Sequence, residues 1–211
     1  MEHEKTSHVE KMLSGALYDP SKDGLPAMRA RAHDLCRAYN ALSETDGQRE
    51  PLLRQILPHA GENVYFQGPI QFDYGCFTTV GDNTYANFSF TCLDCAPVTI
   101  GKNVFIGPNV SLLTPIHPLC YQERNVFRND EGVMSDLEYA KPIVIGDNCW
   151  LAGSVTVCGG AVIGAGCVIG AGSVVTGDIP ENTFACGVPC RPVRSITEAD
   201  ALLREREESA K

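Results

Sequence analysis

Of the five histidines in this chain, only His117 sits in a setting that suggests chemistry. It lies in Thr114-Pro115-Ile116-His117-Pro118, with Arg124 downstream. An imidazole takes up a proton near neutral pH, and a positioned base of this kind is worth roughly 10²- to 10⁴-fold in rate. A lone loop histidine more often only satisfies hydrogen bonds, but the two flanking prolines and Arg124 favour a general base here. His3, His8, His33 and His59 lack such a setting and are expected on surfaces. Further on, Arg191 and Arg194 stand in GVPCRPVR. Two guanidiniums could grip phosphates in a geometry that lysine does not reproduce; the plainer reading is a solvated pair. Cys120 follows His117 closely, so a thiol relay has to be weighed, yet nothing in the sequence places a thiolate beside a base. Cys92-x-x-Cys95 has a redox or zinc look, but no second pair stands at zinc-site spacing, so no metal is expected.

These residues need a scaffold, and a hexapeptide repeat supplies one. IGDNCW, LAGSVT, VCGGAV, IGAGCV, IGAGSV and VTGDIP run without a break from Ile145 to Pro180, each opened by an aliphatic residue. A six-residue period fits neither a helix nor a flat strand. It fits a prism of short parallel strands, the aliphatic residues stacking inward and Gly or Ala allowing tight turns. The same phase appears earlier in VGDNTY from Val80 and in IGKNVF and IGPNVS from Ile100 and Ile106. Ala86 and Cys92 hold the inward register between them, and roughly two extra residues near Pro97 reset it, as a small bulge or turn insertion would. The two blocks form one solenoid. The stretch from Leu113 to Lys141 breaks the period and is expected to be a functional excursion loop.

Residues 1–60 read as a helical cap, with helices over Thr6–Ser14, Pro26–Leu42 and Glu50–Ile56 around the turn-rich LYDPSKDGLP. Such a cap covers the open edge of the first coil. Residues 61–190 are the solenoid with its insertion at 113–141. Residues 191–211 form a tail, with a solvated helix expected over Thr197–Glu208.

The formal net charge is −9. An acidic chain with scattered basic residues argues against nucleic acid as a partner. No apolar run is long enough to span a membrane, and MEHEKTSHVE is no signal peptide, so a cytoplasmic protein is expected. Ten cysteines suggest a disulfide framework until their phase is read. Cys92, Cys149 and Cys167 fall on inward positions and are expected as small buried hydrophobes.

Read in order, these features resemble the hexapeptide-repeat acyltransferases, specifically the maltose/galactoside O-acetyltransferase branch. The resemblance runs through Leu17-Tyr18, Gly61-Glu62-Asn63, Phe72-Asp73-Tyr74-Gly75, Tyr85-Ala86-Asn87-Phe88, Leu93-Asp94, Ile116-His117-Pro118, Arg124, Lys141-Pro142-Ile143, Trp150, Gly172-Ser173-Val174-Val175-Thr176 and Gly187-Val188-Pro189-Cys190-Arg191. Each is weak alone; their order and spacing are specific. The resemblance implies a mainly β protein: a left-handed parallel β-helix with an N-terminal helical cap. It implies a homotrimer with active sites between subunits, and acetyl transfer from acetyl-coenzyme A to a hydroxyl of a sugar or sugar-like acceptor.

The resemblance also implies site residues. His117 would be the base and Asn87 a support for the developing oxyanion, although a solenoid corner is itself a common place for asparagine. Asp19, Asp73, Tyr85, Asp94 and Arg124 would surround the acceptor, carboxylates being suited to sugar hydroxyls. Trp150, Gly153, Ala171, Thr176, Gly177, Arg191 and Arg194 would hold the coenzyme, the small residues equally explicable by the coil's turns. Direct transfer in a ternary complex is expected. The chain departs from the galactoside enzymes at Cys95, where they carry a second aspartate, and in a longer 124–141 loop. Asp19 aligns only with a gap. Serine, an antibiotic hydroxyl or an amine on a nucleotide sugar therefore stand as alternative acceptors. A silent scaffold and a three-histidine metal hydratase are the readings from other classes, and only His117 lies in the solenoid half.

Overall fold

The structure is a computed structural model and describes residues 6–202. Its core is a left-handed parallel β-helix whose coils each cross three faces. The first face stacks His59–Ala60, Thr78–Val80, Val98–Ile100, Ile143–Ile145 and Val162–Ile163. The second stacks Tyr65–Phe66, Tyr85–Ala86, Phe105–Ile106, Trp150–Leu151, Val168–Ile169 and Thr183–Cys186, and Arg191–Ser195 folds back antiparallel on its end. The third stacks Ile70–Phe72, Phe90–Leu93, Ser111–Leu113, Thr156–Cys158 and Val174–Val175. The excursion does not disturb this order, because Val98–Ile100 pairs in register with Ile143–Ile145 across it.

The hexapeptide letters have separate physical causes. The opening aliphatic residue points inward: Ile100, Ile145 and Ile163 stack on the first face, each almost fully buried. The glycine that follows is required by close approach, since a Cβ on Gly146 would come within 2.5 Å of the Ala165 amide nitrogen. The fourth position turns the corner with positive φ, at Asn103 (53°), Asn148 (59°) and Gly166 (70°). Asparagine and glycine tolerate that conformation, which explains the GDN and GAG repeats. Cys92, Cys149 and Cys167 are buried in the core, and all ten cysteines are free thiols.

The corner that closes a coil, from the third face to the first face of the next, is wide in the early coils. It spans residues 73–77 after the first coil and 94–97 after the second, and it becomes the whole excursion after the third. The phase reset near Pro97 is one of these wide corners. The cap packs against them. Helices α1 (His8–Ser14), α2 (Leu25–Asn40) and α3 (Arg49–Ile56) lie at the expected places. Met12, Tyr18 and Leu25 from the cap bury a second small core with Tyr74, Cys95, Ala96 and Ala140. Beyond the solenoid a short 3₁₀ turn, Glu198–Asp200, opens the span where a helix over Thr197–Glu208 is expected; the part of that span from 203 on lies outside the described residues.

Candidate active site

His117 is positioned by the neck of the excursion. Pro115–Ile116 pairs antiparallel with Tyr139–Ala140, Ile116 opposite Tyr139, so the chain places His117 next to Glu138. Glu138 is held in turn by the cap: its N–H donates to the Tyr18 carbonyl (3.2 Å), and the Tyr18 N–H donates to the Glu138 carbonyl (2.9 Å). The imidazole lies between two carboxylates. Nδ1 is 3.3 Å from Asp136 Oδ2, and Nε2 is 4.0 Å from Glu138 Oε2. The side chain of His117 is 48% exposed, against 13% for Glu138, so the ring opens to solvent while the glutamate is mostly buried beside it. A proton on Nδ1, shared with Asp136, leaves the Nε2 lone pair free to accept one from a substrate.

Glu138 is a partly buried acid. Burial pushes its carboxyl above the ordinary range, while the Tyr18 hydroxyl, which donates to Oε1, and the nearby His117 pull it back. Tyr18 and Cys95 are likewise driven up by burial next to negative charge, and both stay protonated. The Cys95 thiol donates to Asp73 Oδ2 at 3.5 Å. A neutral thiol here argues against Cys95 as a nucleophile. Cys120 is exposed at the start of a short helix, α4 (Tyr121–Arg124).

The other residues expected at the acceptor divide into distinct roles. Asp73 stands at the first closing corner, its carboxylate 20% exposed and 3.5 Å from His33 Nε2. His33, expected on a surface, is thus half exposed but turned toward this corner. Asp94 is fully buried. Its Oδ1 accepts the Tyr74 and Gly75 N–H groups and its Oδ2 the Thr78 hydroxyl, so in this chain it fixes the corner from a fully buried position. Asp19 is also satisfied from within. Oδ1 accepts the Ser21 N–H and the Ser21 and Ser135 hydroxyls, and Oδ2 accepts Asn129 Nδ2 at 3.0 Å. Burial would raise its pKa, but these donors hold it down to about 2. Asp19 therefore clamps the cap loop to the excursion, assisted by Lys22, which pairs with Asp130 and Glu131. Arg124 donates to the Pro118 carbonyl at 2.9 Å and braces the turn behind His117.

A second set of residues lies elsewhere on the prism. Tyr85 and Trp150 point outward from the second face. Tyr85 stacks on Tyr65 with ring centroids 6.2 Å apart, and Trp150 is 51% exposed. Trp150, Val168, Phe184, Arg194, Ile196 and Asp200 surround a shallow cavity of ≈ 270 Å³. Arg194 binds Asp200 through two nitrogens, at 2.7 and 2.9 Å, and Arg191 donates to the Cys190 carbonyl. Asn87, Gly153 and Ala171 follow second-face strands, at the corner leading to the third face. Thr176 and Gly177 follow Val174–Val175, at the closing corner.

One chain thus sets His117 and Asp73 on the side of the closing corners and Asp19 where the cap loop meets the excursion, and puts Asn87, Tyr85, Trp150, Gly153 and Ala171 on another edge. Sequence reading overlooked Asp136, Glu138 and Arg29, whose guanidinium donates to the Tyr74 hydroxyl at 2.8 Å. The one available signal was the Asp136-Leu137-Glu138 alternation just before the strand returning to the solenoid, which puts both carboxylates on one side.

Three family models match the sequence: the maltose acetyltransferase hexapeptide capping motif over residues 11–61, the bacterial transferase hexapeptide (six repeats) over 142–177, and the hexapeptide repeat of succinyl-transferase over 97–117. The galactoside O-acetyltransferase of Escherichia coli (strain K12) is 40% identical over 193 residues, covering 91% of each chain. That of Lactococcus lactis is 34% identical, over 95% of this chain and 91% of the relative. Among solved structures, a maltose O-acetyltransferase from Clostridium difficile 630 superimposes with a TM-score of 0.84 at 40% identity, over 92% of this chain and 99% of the other. A galactoside acetyltransferase in complex with coenzyme A gives 0.85 at 38%, over 93% and 94%.

Proposed function

The chain belongs to the maltose/galactoside branch of the hexapeptide-repeat acetyltransferases, and on that premise we propose that it transfers acetyl from acetyl-coenzyme A to a hydroxyl of a sugar or sugar-like acceptor. The observation that carries this reading is His117, half exposed at the neck of the excursion, with Nδ1 3.3 Å from Asp136 Oδ2 and Nε2 4.0 Å from Glu138 Oε2. The acceptor hydroxyl donates to Nε2 as its oxygen attacks the thioester carbonyl. The tetrahedral intermediate collapses by breaking the carbon–sulfur bond, and the imidazolium returns the proton to the departing thiolate. Asp136 and Glu138 stabilise the transient imidazolium, and no covalent enzyme intermediate is formed.

The donor reading rests on space as much as on Trp150. A Cβ on Gly177 would meet nothing within 4 Å, and one on Gly153 would only touch Pro108 at 3.4 Å, so the coil itself does not demand glycine at either position. A pantetheine arm running along these corners does. Arg191 and Arg194 lie at the same end, where the nucleotide phosphates would sit.

We also propose a homotrimer. Asn87, Gly153 and Trp150 occupy a different edge from His117, and a groove formed between two copies joins the edges, so Asn87 of the partner subunit would support the oxyanion. No helix among the described residues is long and apolar enough to cross a membrane, and we place the enzyme in the cytoplasm, with its acetyl-coenzyme A. Coenzyme A release in the presence of sugars, for wild type and His117→Ala, tests the proposal.

A further inference from the structure

The solenoid ends in a hairpin that carries Arg194. Arg191–Ser195 folds antiparallel on Thr183–Cys186, with Arg194 opposite Phe184, and the guanidinium carbon lies 5.9 Å from the centre of the Phe184 ring. A guanidinium has five N–H groups, and two on one edge form a fork that fits two oxygens of a phosphate or carboxylate. In Arg194 three of the five are engaged. Nη1 donates to Asp200 Oδ2 at 2.9 Å and to the Ser195 carbonyl at 3.1 Å, and Nη2 donates to Asp200 Oδ1 at 2.7 Å. The Nε proton and the second Nη2 proton carry no hydrogen bond among the described residues. Those two share one edge, so a complete fork is left free on a residue that borders the Trp150 cavity. Asp200 is itself fixed. Its N–H donates to the Thr197 carbonyl at 3.0 Å, and its Oδ2 accepts the Thr197 N–H at 2.9 Å, so the turn Glu198–Asp200 aims the carboxylate. The Ile196 N–H, which donates to the Asn182 carbonyl at 2.7 Å, ties that turn to the end of the solenoid. Arg194 holds the Asp200 carboxyl down at about 2, so the pair is charged at any working pH.

We propose that Asp200 is a positioning residue for the acetyl donor: it grips the end of the Arg194 guanidinium and thereby presents the Nε and Nη2 edge, already ordered, to a phosphate of the coenzyme nucleotide. The inference rests on the acetyl-coenzyme A reading above and deepens it. Stability does not explain the contact. The two side chains are 54% and 33% exposed, and ion pairs in such a setting add little to folding. The pair does remove the freedom of a long side chain, whose ordering otherwise opposes binding. Because Asp200 takes the end of the guanidinium and not its Nε edge, it leaves the fork open instead of filling it.

The test is a double-mutant cycle on donor binding, which needs no acceptor. Calorimetric titration with coenzyme A gives Kd for wild type, Asp200→Asn, Arg194→Ala and the double variant, with a thermal melt of each. Asparagine keeps an oxygen for the Thr197 N–H but gives up the charge that holds Arg194. In Asp200→Asn the Kd rises roughly 3- to 10-fold, the cost of ordering one long side chain on binding, while the melting temperature moves little. In the Arg194→Ala background the same substitution changes Kd by less than about twofold, because Asp200 acts only through Arg194. Tighter binding by Asp200→Asn would overturn the proposal and make Asp200 a competitor of the phosphate. An unchanged Kd, or a loss that persists without Arg194, would overturn it as well. Wild type that binds no coenzyme A would instead refute the donor reading, and the proposal with it.

Discussion

Asp136 Oδ2 lies 3.3 Å from His117 Nδ1, and both side chains come from the neck of the same excursion. The pairing fixes which imidazole nitrogen carries the proton and keeps the ring from turning. Without it the tautomers mix, and Nε2 is the protonated nitrogen part of the time. Asp136→Asn is therefore expected to lower kcat by roughly 10- to 100-fold with little change in melting temperature, since the pair is partly exposed. Steady-state kinetics and a thermal melt on the same preparation check this; an unchanged kcat would remove Asp136 from the mechanism.

Asp19 makes stability depend on pH. Its ordinary value is 3.8 and its folded value about 2. A group depressed on folding contributes stability in full above its unfolded value, and loses it as pH falls through the folded one. The melting-temperature gap between wild type and Asp19→Asn should therefore be constant from neutral pH to about 4.5 and close between about 4 and 2. Asp19→Ala, which leaves Ser135, Ser21 and Asn129 without their acceptor, should cost about 1–3 kcal/mol near neutral pH.

The glycines separate coil from site. Gly146→Ala drives a Cβ into the backbone of Ala165 and should destabilise the solenoid by about 1–3 kcal/mol or more. Gly177→Val meets open space and should leave the melting temperature nearly unchanged, while raising KM for acetyl-coenzyme A by roughly tenfold. Equal damage to stability at both positions would show that Gly177 serves the fold alone.

Trp150 is half exposed on the second face, so its removal costs the isolated coil little packing. Trp150→Ala should raise KM for acetyl-coenzyme A several-fold and spare KM for the acceptor. Kinetics at varied donor and fixed acceptor distinguish this from a general loss of activity.

The solenoid was legible because its constraints are local and periodic: inward Ile100, Ile145 and Ile163, the crowded Gly146, the positive φ at Asn103 and Asn148. The expectation for His117 came from its proline-flanked setting and the family pattern, and the structure adds its two carboxylate neighbours, Asp136 and Glu138. The roles of Asp94 and Asp19 were not, because a sequence shows a carboxylate but not the donors that saturate it. Asp94 accepts from the N–H groups of Tyr74 and Gly75 in the preceding coil's corner and from the Thr78 hydroxyl in its own coil, and Asp19 from Ser135 and Asn129 across the excursion. Glu138 was missed for the same reason. Its meaning depends on a bridge to Tyr18, 120 residues away in the chain.

The most direct measurement is coenzyme A release from acetyl-coenzyme A across a panel of glycosides, maltose, glucose, amino sugars, serine and chloramphenicol, with wild type and His117→Ala side by side. Turnover with a sugar is expected, falling by roughly two or more orders of magnitude in the variant, the weight of a general base. No release with any sugar, or release that does not depend on His117, would contradict it.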